Sequence, residues 1–433
     1  MPEFIYIHIP FCIRKCLYCD FLSVTYNESL AKAYTDALCK ELILKKDIAG
    51  ELKTVYVGGG TPSILPEECF GQLFKCLKES FKFSDFHEIT IEANPGTVDK
   101  SKIDAMLSLG VNRLSIGVQS FNDDELKTLG RIHTSDEALR AIELVKNSGI
   151  KNFSIDLIYG IPGQTLDSWK KTVSKAVELS PAHISSYELT LEEGTPLYEM
   201  IKSEETNPSS PPFAKGGMVA SGDSPRRGGF LANIKMPDED LVLSMYNYAI
   251  DYLESKGYEH YEISNFAFSE FSENHPHLNP PPSAVPSTCG RGLGGGGKAA
   301  FRCLHNLNYW DRGEYIGAGA GAHSFIRGFR SKNTDDIRRY IKDLNKGIIP
   351  EAESTEIKRG EAIKEFIFLN LRKTEGISLA KAKELGLDMP GVCKELIEDG
   401  YLEINGDYLR LSRKGLIISN SIIVRLFEVL GLD

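Results

Sequence analysis

Three cysteines, Cys12, Cys16 and Cys19, stand as Cys-x-x-x-Cys-x-x-Cys directly after a short apolar run, FIYIHI at 4–9. A structural zinc ion usually takes four protein ligands, drawn as two separated pairs. Here three thiolates come from one short loop, and no fourth partner stands near them in the sequence. Three thiolates on a cubane 4Fe–4S cluster leave one iron without a protein ligand, open to an external chelator. The remaining cysteines lack such spacing. Cys39, Cys69, Cys76 and Cys393 fall in predicted helices, where a thiol behaves as a small hydrophobe, and Cys289 and Cys303 have no spaced partner. Nine cysteines, odd in number and thinly spread, argue against a disulfide framework.

Further polar residues sit where apolar runs end. Gly58-Gly59-Gly60-Thr61-Pro62 is a turn whose glycines let a ligand approach the backbone. Glu92 ends ITIEANP, Gln119 ends SIGVQSF, Asp156 lies within SIDLIYGIP, and Arg131 follows a short helix. Such residues are costly to bury without partners and read as ligand contacts at strand ends. GLGGGGK (292–298) has no strand before it and no Ser or Thr after Lys298, so it is not a phosphate-binding loop.

The elements that must position these groups alternate. Strands are predicted at 4–9, 54–58, 88–93, 113–118, 153–160 and 183–189, and helices at 28–46, 66–81, 99–109, 122–129, 135–148 and 166–179. Parallel strands with crossover helices follow, as a partial six-unit barrel or an open doubly wound sheet. Residues 204–232 and 273–300 are rich in Pro, Gly and Ser and are expected to be mobile inserted loops. Between them come a helix over 237–257 and a strand region at GYEHYEISNFA, and 301–354 carries HNLNYW and GAGAGAHSF. Residues 355–433 read as helices followed by the hairpin YLEI–NGD–YLRLS, the outline of a winged helix.

The chain has 433 residues with 42% hydrophobic and 25% charged, which is globular composition. Its net charge of −10 argues against a dedicated nucleic-acid binder. No run approaches the ~20 apolar residues of a spanning helix. FIYIHI reads as a strand rather than a signal peptide, so a cytoplasmic location is expected, with peripheral membrane contact left open.

The segment YIHIPFCIRKCLYCDF resembles the radical S-adenosylmethionine superfamily. The resemblance covers most of residues 1–325 and implies a partial (β/α)6 barrel at 1–203, extended by 233–272 and closed by 301–354. It implies a 4Fe–4S cluster on Cys12, Cys16 and Cys19, whose open iron chelates S-adenosylmethionine. With the C-terminal domain, the chain is similar to the oxygen-independent coproporphyrinogen III dehydrogenase family. By that similarity Tyr6 and Glu92 match positions that contact the cluster-bound S-adenosylmethionine. Gly59, Gly60, Thr61, Gln119, Arg131 and Asp156 match positions used for a second such molecule. Two departures stand out: Phe21 occupies the place of a fourth cysteine, and a first strand starting at Phe4 leaves no N-terminal arm. His305-Asn306-Leu307-Asn308-Tyr309-Trp310 is similar to the H-N-x-x-Y-W signature of HemW-type haem chaperones. That implies haem ligated by His305 and held by Asn306, Tyr309 and Trp310, for delivery to an apo-haemoprotein. The competing expectation is an enzyme that oxidatively decarboxylates two propionates of coproporphyrinogen III. His323, in GAGAGAHSF, is a further candidate for lining the site.

Overall fold

The structure, a computed structural model, describes residues 1–206, 235–269 and 301–432. The expected loops at 204–232 and 273–300, with Cys289, lie outside the described residues except for 204–206. Six parallel strands, Phe4–Ile9, Leu52–Gly59, Phe83–Ala93, Arg113–Gln119, Asn152–Tyr159 and His183–Glu188, lie side by side in chain order. Helices Glu28–Lys45, Glu67–Ser80, Lys100–Ser108, Asp123–Thr128, Ser135–Ser148 and Leu166–Glu178 connect them. Strand order without reversal is that of a barrel, not a doubly wound sheet. Ile316–Ala318 adds a seventh parallel strand outside the first. The antiparallel pair Tyr258–Glu262 and Asn265–Phe268 ends the sheet at the other edge.

The strands alternate, and the alternation assigns two different faces. Ile5, Ile7, Ile9, Val55, Val57, Ile89, Ile91, Leu114, Ile116, Ile155 and Leu157 are buried in one core with Tyr34, Leu38 and Leu42 of the first helix. The intervening residues form the other face: Tyr6 and His8, Thr54 and Tyr56, Glu92, Arg113 and Ser115, Ser154 and Asp156, His183 and Ser185. Hydrogen bonds join many of them across strands, such as Tyr56 to Glu92, Ser115 to Asp156 and Ser154 to His183. The hydrophobic core therefore sits between sheet and helices, and the barrel interior is polar.

A three-stranded antiparallel sheet, His323–Ile326, Phe329–Asn333 and Glu351–Glu356, follows. Its last strand belongs with 323–333, so the C-terminal unit starts after Glu356 rather than at 355. That unit has its own core, including Ile363, Ile367, Ile377, Leu402, Leu409 and Ile422. Helix Arg359–Asn370, the short helices Leu379–Glu384, Met389–Val392 and Lys394–Glu398, and the hairpin Leu402–Asn405/Tyr408–Leu411 build the winged-helix outline. Gly406 takes φ +57 in the two-residue hairpin turn, a conformation glycine adopts readily. Among the described residues no helix is long and apolar enough to cross a membrane.

Candidate cluster and ligand sites

The cysteine loop is tied down over the C-terminal ends of the strands. Phe11–Cys12 pairs with Val24–Thr25, which closes the loop on itself. Leu17 N donates to Leu129 O at 3.0 Å, and Arg14 donates to Gly130 O at 3.0 Å. Gly130 has φ +72, and a Cβ there would lie 2.6 Å from Leu17 Cγ, so only glycine permits this approach. Burial, helped by repulsion from the neighbouring Cys16 and Cys12, pushes the Cys19 thiol up to about 11. The Arg131 guanidinium donates to Cys16 Sγ at 3.5 Å, and Thr61 Oγ1 donates to Cys12 Sγ at 3.6 Å. Among the described residues no three His, Cys, Asp or Glu side chains meet at the spacing of a single metal ion. A cubane cluster does not require that, because each thiolate takes a separate iron. The donors aimed at two sulfurs and the bare Gly60, whose Cβ would stand 3.0 Å from Cys12 Sγ, suit such a cluster.

The glycine turn joins this end of the barrel. Gly59 has φ +116, and a Cβ there would strike the His8 ring at 2.6 Å. Its N–H donates to Glu92 Oε2 at 3.1 Å, while Tyr56 Oη donates to Oε1 at 2.9 Å. Burial outweighs both bonds and raises the Glu92 carboxyl to about 7. Tyr6 reaches His8 Nδ1 at 3.1 Å and lies beside the Tyr56 ring, and burial raises its phenol. Asn94, which sequence reasoning passed over, is the hub: it donates to Thr61 Oγ1 at 2.8 Å and accepts from Arg131 at 2.5 Å. Arg131 also donates to Gly117 O at 2.7 Å. Gln119 ends its strand at φ +69, a backbone strained for a non-glycine residue, with Nε2 close to where a Cβ on Gly117 would fall. Asp156 lies deeper, accepting hydroxyls from Ser115, Ser154 and Ser185, and burial raises its carboxyl. A small pocket beside the loop is lined by Ile13, Arg14, Cys16, Thr61, Asn94, Thr97, Arg131 and Ile132. Phe21 is exposed.

The HNLNYW segment forms helix Leu304–Trp310 and addresses the other half of the barrel. His305 is only 1% exposed. Its Nδ1 meets Thr54 Oγ1 at 2.6 Å and its Nε2 meets Tyr309 Oη at 2.9 Å, while its ring stacks on Tyr56 at 5.2 Å. Burial, then the nearby Arg113, lowers it to about 3, so it is neutral. The expected haem-iron ligand thus has both ring nitrogens engaged and faces the barrel interior. To bind an iron through either nitrogen it would have to give up the hydrogen bond on that nitrogen. Tyr309 and Trp310, by contrast, line a pocket of ≈270 Å³ with Arg312, Gly313, Tyr315, Phe325, Arg330 and Leu369. Asn306 is half-buried beside them in the chain and does not line this pocket. His323 begins the strand that carries Phe325 and is exposed. Sequence spacing gave no hint of Arg312, Tyr315, Phe325 or Arg330.

The C-terminal unit docks at this end: Ile263 N donates to Arg372 O at 2.9 Å, and Lys373 pairs with Asp311. The Radical SAM superfamily matches residues 6–176, and the HemN C-terminal domain matches residues 357–418. "Heme chaperone HemW" of Bacillus subtilis (strain 168) is 32% identical over 425 residues, covering 96% of this chain and 97% of that protein. The chain belongs to the HemW family. The HemW protein of Lactococcus lactis (strain IL1403) is 34% identical, covering 88% of this chain and 84% of that protein. The HemW protein of Escherichia coli (strain K12) is 31% identical, covering 98% and 97%. Coproporphyrinogen III oxidase (HemN) from Escherichia coli shares the fold, with a TM-score of 0.73 over 98% of this chain and 90% of that one, at 20% identity. This chain carries both matches, the radical SAM unit and the C-terminal unit.

Proposed function

We propose that the chain is a haem chaperone that carries one 4Fe–4S cluster, binds S-adenosylmethionine and haem, and delivers the haem to an apo-haemoprotein in the cytoplasm. Cys12, Cys16 and Cys19 would hold the cluster, whose open iron supplies a chelation point for the amino and carboxylate groups of S-adenosylmethionine. Tyr6 and Glu92 would orient that molecule, and Gly59, Gly60 and Thr61 match positions that would border a second one. Gln119, Arg131 and Asp156 belong to the same end of the barrel, by the family positions they match, with Arg131 also holding a cysteine sulfur.

One observation carries the choice of chaperone over enzyme. The pocket lined by Tyr309 and Trp310 shares no residue with the pocket at the cysteine loop. A ligand in the first pocket would not share its lining with one at the cysteine loop, which suits storage and transfer. His305 then acts through Tyr309, whose hydroxyl it fixes, rather than as the iron ligand. Nothing in this arrangement calls for nucleic acid, and a peripheral membrane contact would come through the recipient. The competing reading, coproporphyrinogen III decarboxylation, draws on the fold shared with HemN. The exposed Phe21 at the position of a fourth cysteine weighs against it. Haem titration of the cluster-reconstituted chain, followed at the Soret band, tests the proposal. Absence of a stoichiometric haem complex would overturn it.

A further inference from the structure

The pocket beside the signature helix holds charge as well as aromatic surface. Arg312 and Arg330 both line it, and both guanidinium groups lie over the Phe325 ring, at 4.6 and 5.4 Å. One carboxylate serves both: Arg312 Nε donates to Glu365 Oε2 at 2.7 Å, and Arg330 Nη1 donates to Oε1 at 2.6 Å. Glu365 belongs to helix Arg359–Asn370 of the C-terminal unit, whose Leu369 also lines the pocket. Two cations thus face the pocket against a single anion contributed by a different unit.

The backbone at Arg312 points the same way. Helix Leu304–Trp310 closes with Arg312 N donating to Tyr309 O at 3.0 Å and Gly313 N donating to Asn308 O at 2.8 Å. This is a Schellman motif, whose left-handed position is ordinarily filled by glycine. Here that position is Arg312, at φ +56. From this left-handed position the Arg312 side chain reaches both Glu365 and the Phe325 ring. A third observation concerns Trp310, which lines the pocket with its indole Nε1 buried and without a hydrogen-bond partner among the described residues.

We propose that this pocket recognises the carboxylate-bearing edge of a tetrapyrrole, and that Glu365 is a built-in stand-in for a propionate, displaced when the ligand enters. The inference rests on the haem reading above and says how that site selects its ligand. Guanidinium groups are strong donors to carboxylates, and the Glu365 carboxylate already takes one charged hydrogen bond from each of the two arginines. The ≈270 Å³ volume lies just below that of pockets enclosing a whole ligand, roughly 300–1,000 Å³. It fits one edge of the macrocycle, with Tyr309, Trp310, Tyr315 and Phe325 against the ring and the rest left outside for a recipient to take. Displacing Glu365 also releases an ion-pair link between the C-terminal unit and the segment that carries Arg312 and Arg330, so loading and domain docking are thermodynamically coupled.

The test uses the full, cluster-reconstituted chain and two probes: haem, and iron protoporphyrin dimethyl ester, whose carboxylates are masked. Glu365→Gln keeps the size of the side chain and removes the competing charge, so it should tighten haem binding several-fold. Arg330→Gln should weaken haem binding about tenfold, the loss expected for one charged hydrogen bond. Both differences should vanish with the dimethyl ester. Should Arg330→Gln fail to fold, Arg312→Gly supplies the same arm with its backbone strain relieved. If Glu365→Gln weakens haem binding as the arginine variants do, or the ester reproduces the haem pattern, the stand-in role is refuted while haem binding stands. If the wild-type chain binds neither probe, the haem reading itself falls, and this inference with it.

Discussion

Replacing His305 with alanine separates two roles for the imidazole, and the structure sets the magnitude. His305 is enclosed, with Thr54 Oγ1 at 2.6 Å on one nitrogen and Tyr309 Oη at 2.9 Å on the other. Truncation strands two buried hydroxyls, at ~1–3 kcal/mol each. It also leaves a cavity where an aromatic ring contacted Tyr56 and Tyr309. Burial of an aromatic side chain lost to alanine costs roughly 3–5 kcal/mol in total, and the terms overlap rather than add. The folded pKa of about 3 lies below the ~6.5 of a free histidine, so the unfolded chain binds the proton preferentially. The stabilisation His305 brings is therefore full above pH 6.5 and is lost as pH falls toward 3. Urea unfolding of the metal-free chain should show the variant several kcal/mol weaker at pH 7.5, with the gap narrowing at pH 5. The haem complex of the variant should keep its Soret maximum while losing affinity, because Tyr309 is no longer held. A shifted Soret band with an unchanged urea midpoint would show that His305 ligates the iron after all, and the positioning role would be wrong.

The remaining expectations follow from the same geometry. Alanine at Cys12, Cys16 or Cys19 should abolish the broad absorbance near ~400 nm after anaerobic reconstitution; retention of four irons and four sulfides by the triple variant would exclude the cluster site. Glu92 is raised to about 7 by burial, so its negative charge is gained as pH rises through 7. S-adenosylmethionine carries net positive charge and should bind more tightly at pH 8 than at pH 6, by up to about tenfold per unit on the acid side. Glu92→Gln should flatten that profile, and a wild-type profile already flat between pH 6 and 8 would remove Glu92 from the site. Deleting 206–230 and 275–299, chosen on composition alone, should leave cluster content unchanged; a variant that loses its cluster would show that these segments support the fold.

Strands and helices were legible because each carries a strong local signal. FIYIHI alternates, and the structure uses both halves of the alternation: Ile5, Ile7 and Ile9 in the core, Tyr6 and His8 on the other face. The same alternation in RLSIGV and FSIDLIYG could have placed Ser115, Ser154 and Asp156 together, since residues two apart share a face. The cysteine loop was legible because all its ligand candidates lie within eight residues. The pocket was not, because its parts are far apart: Arg312 and Glu365 are separated by 53 positions, and Arg330 and Glu365 by 35. His305 shows the limit of a motif. A motif names residues, but which side of a seven-residue helix meets the barrel is decided by tertiary packing. His305 and Tyr309 lie one turn apart and bond to each other, while Trp310 turns to Arg372.

The central claim, that this chain holds haem rather than transforming a porphyrinogen, is tested most directly by one paired assay on the anaerobically reconstituted protein. One arm titrates haem at the Soret band and then adds an apo-haemoprotein; the other supplies S-adenosylmethionine, a reductant and coproporphyrinogen III. The account predicts a stoichiometric haem complex that loses its haem to the recipient, and no propionate decarboxylation. Robust formation of protoporphyrinogen, with no haem complex, would contradict it.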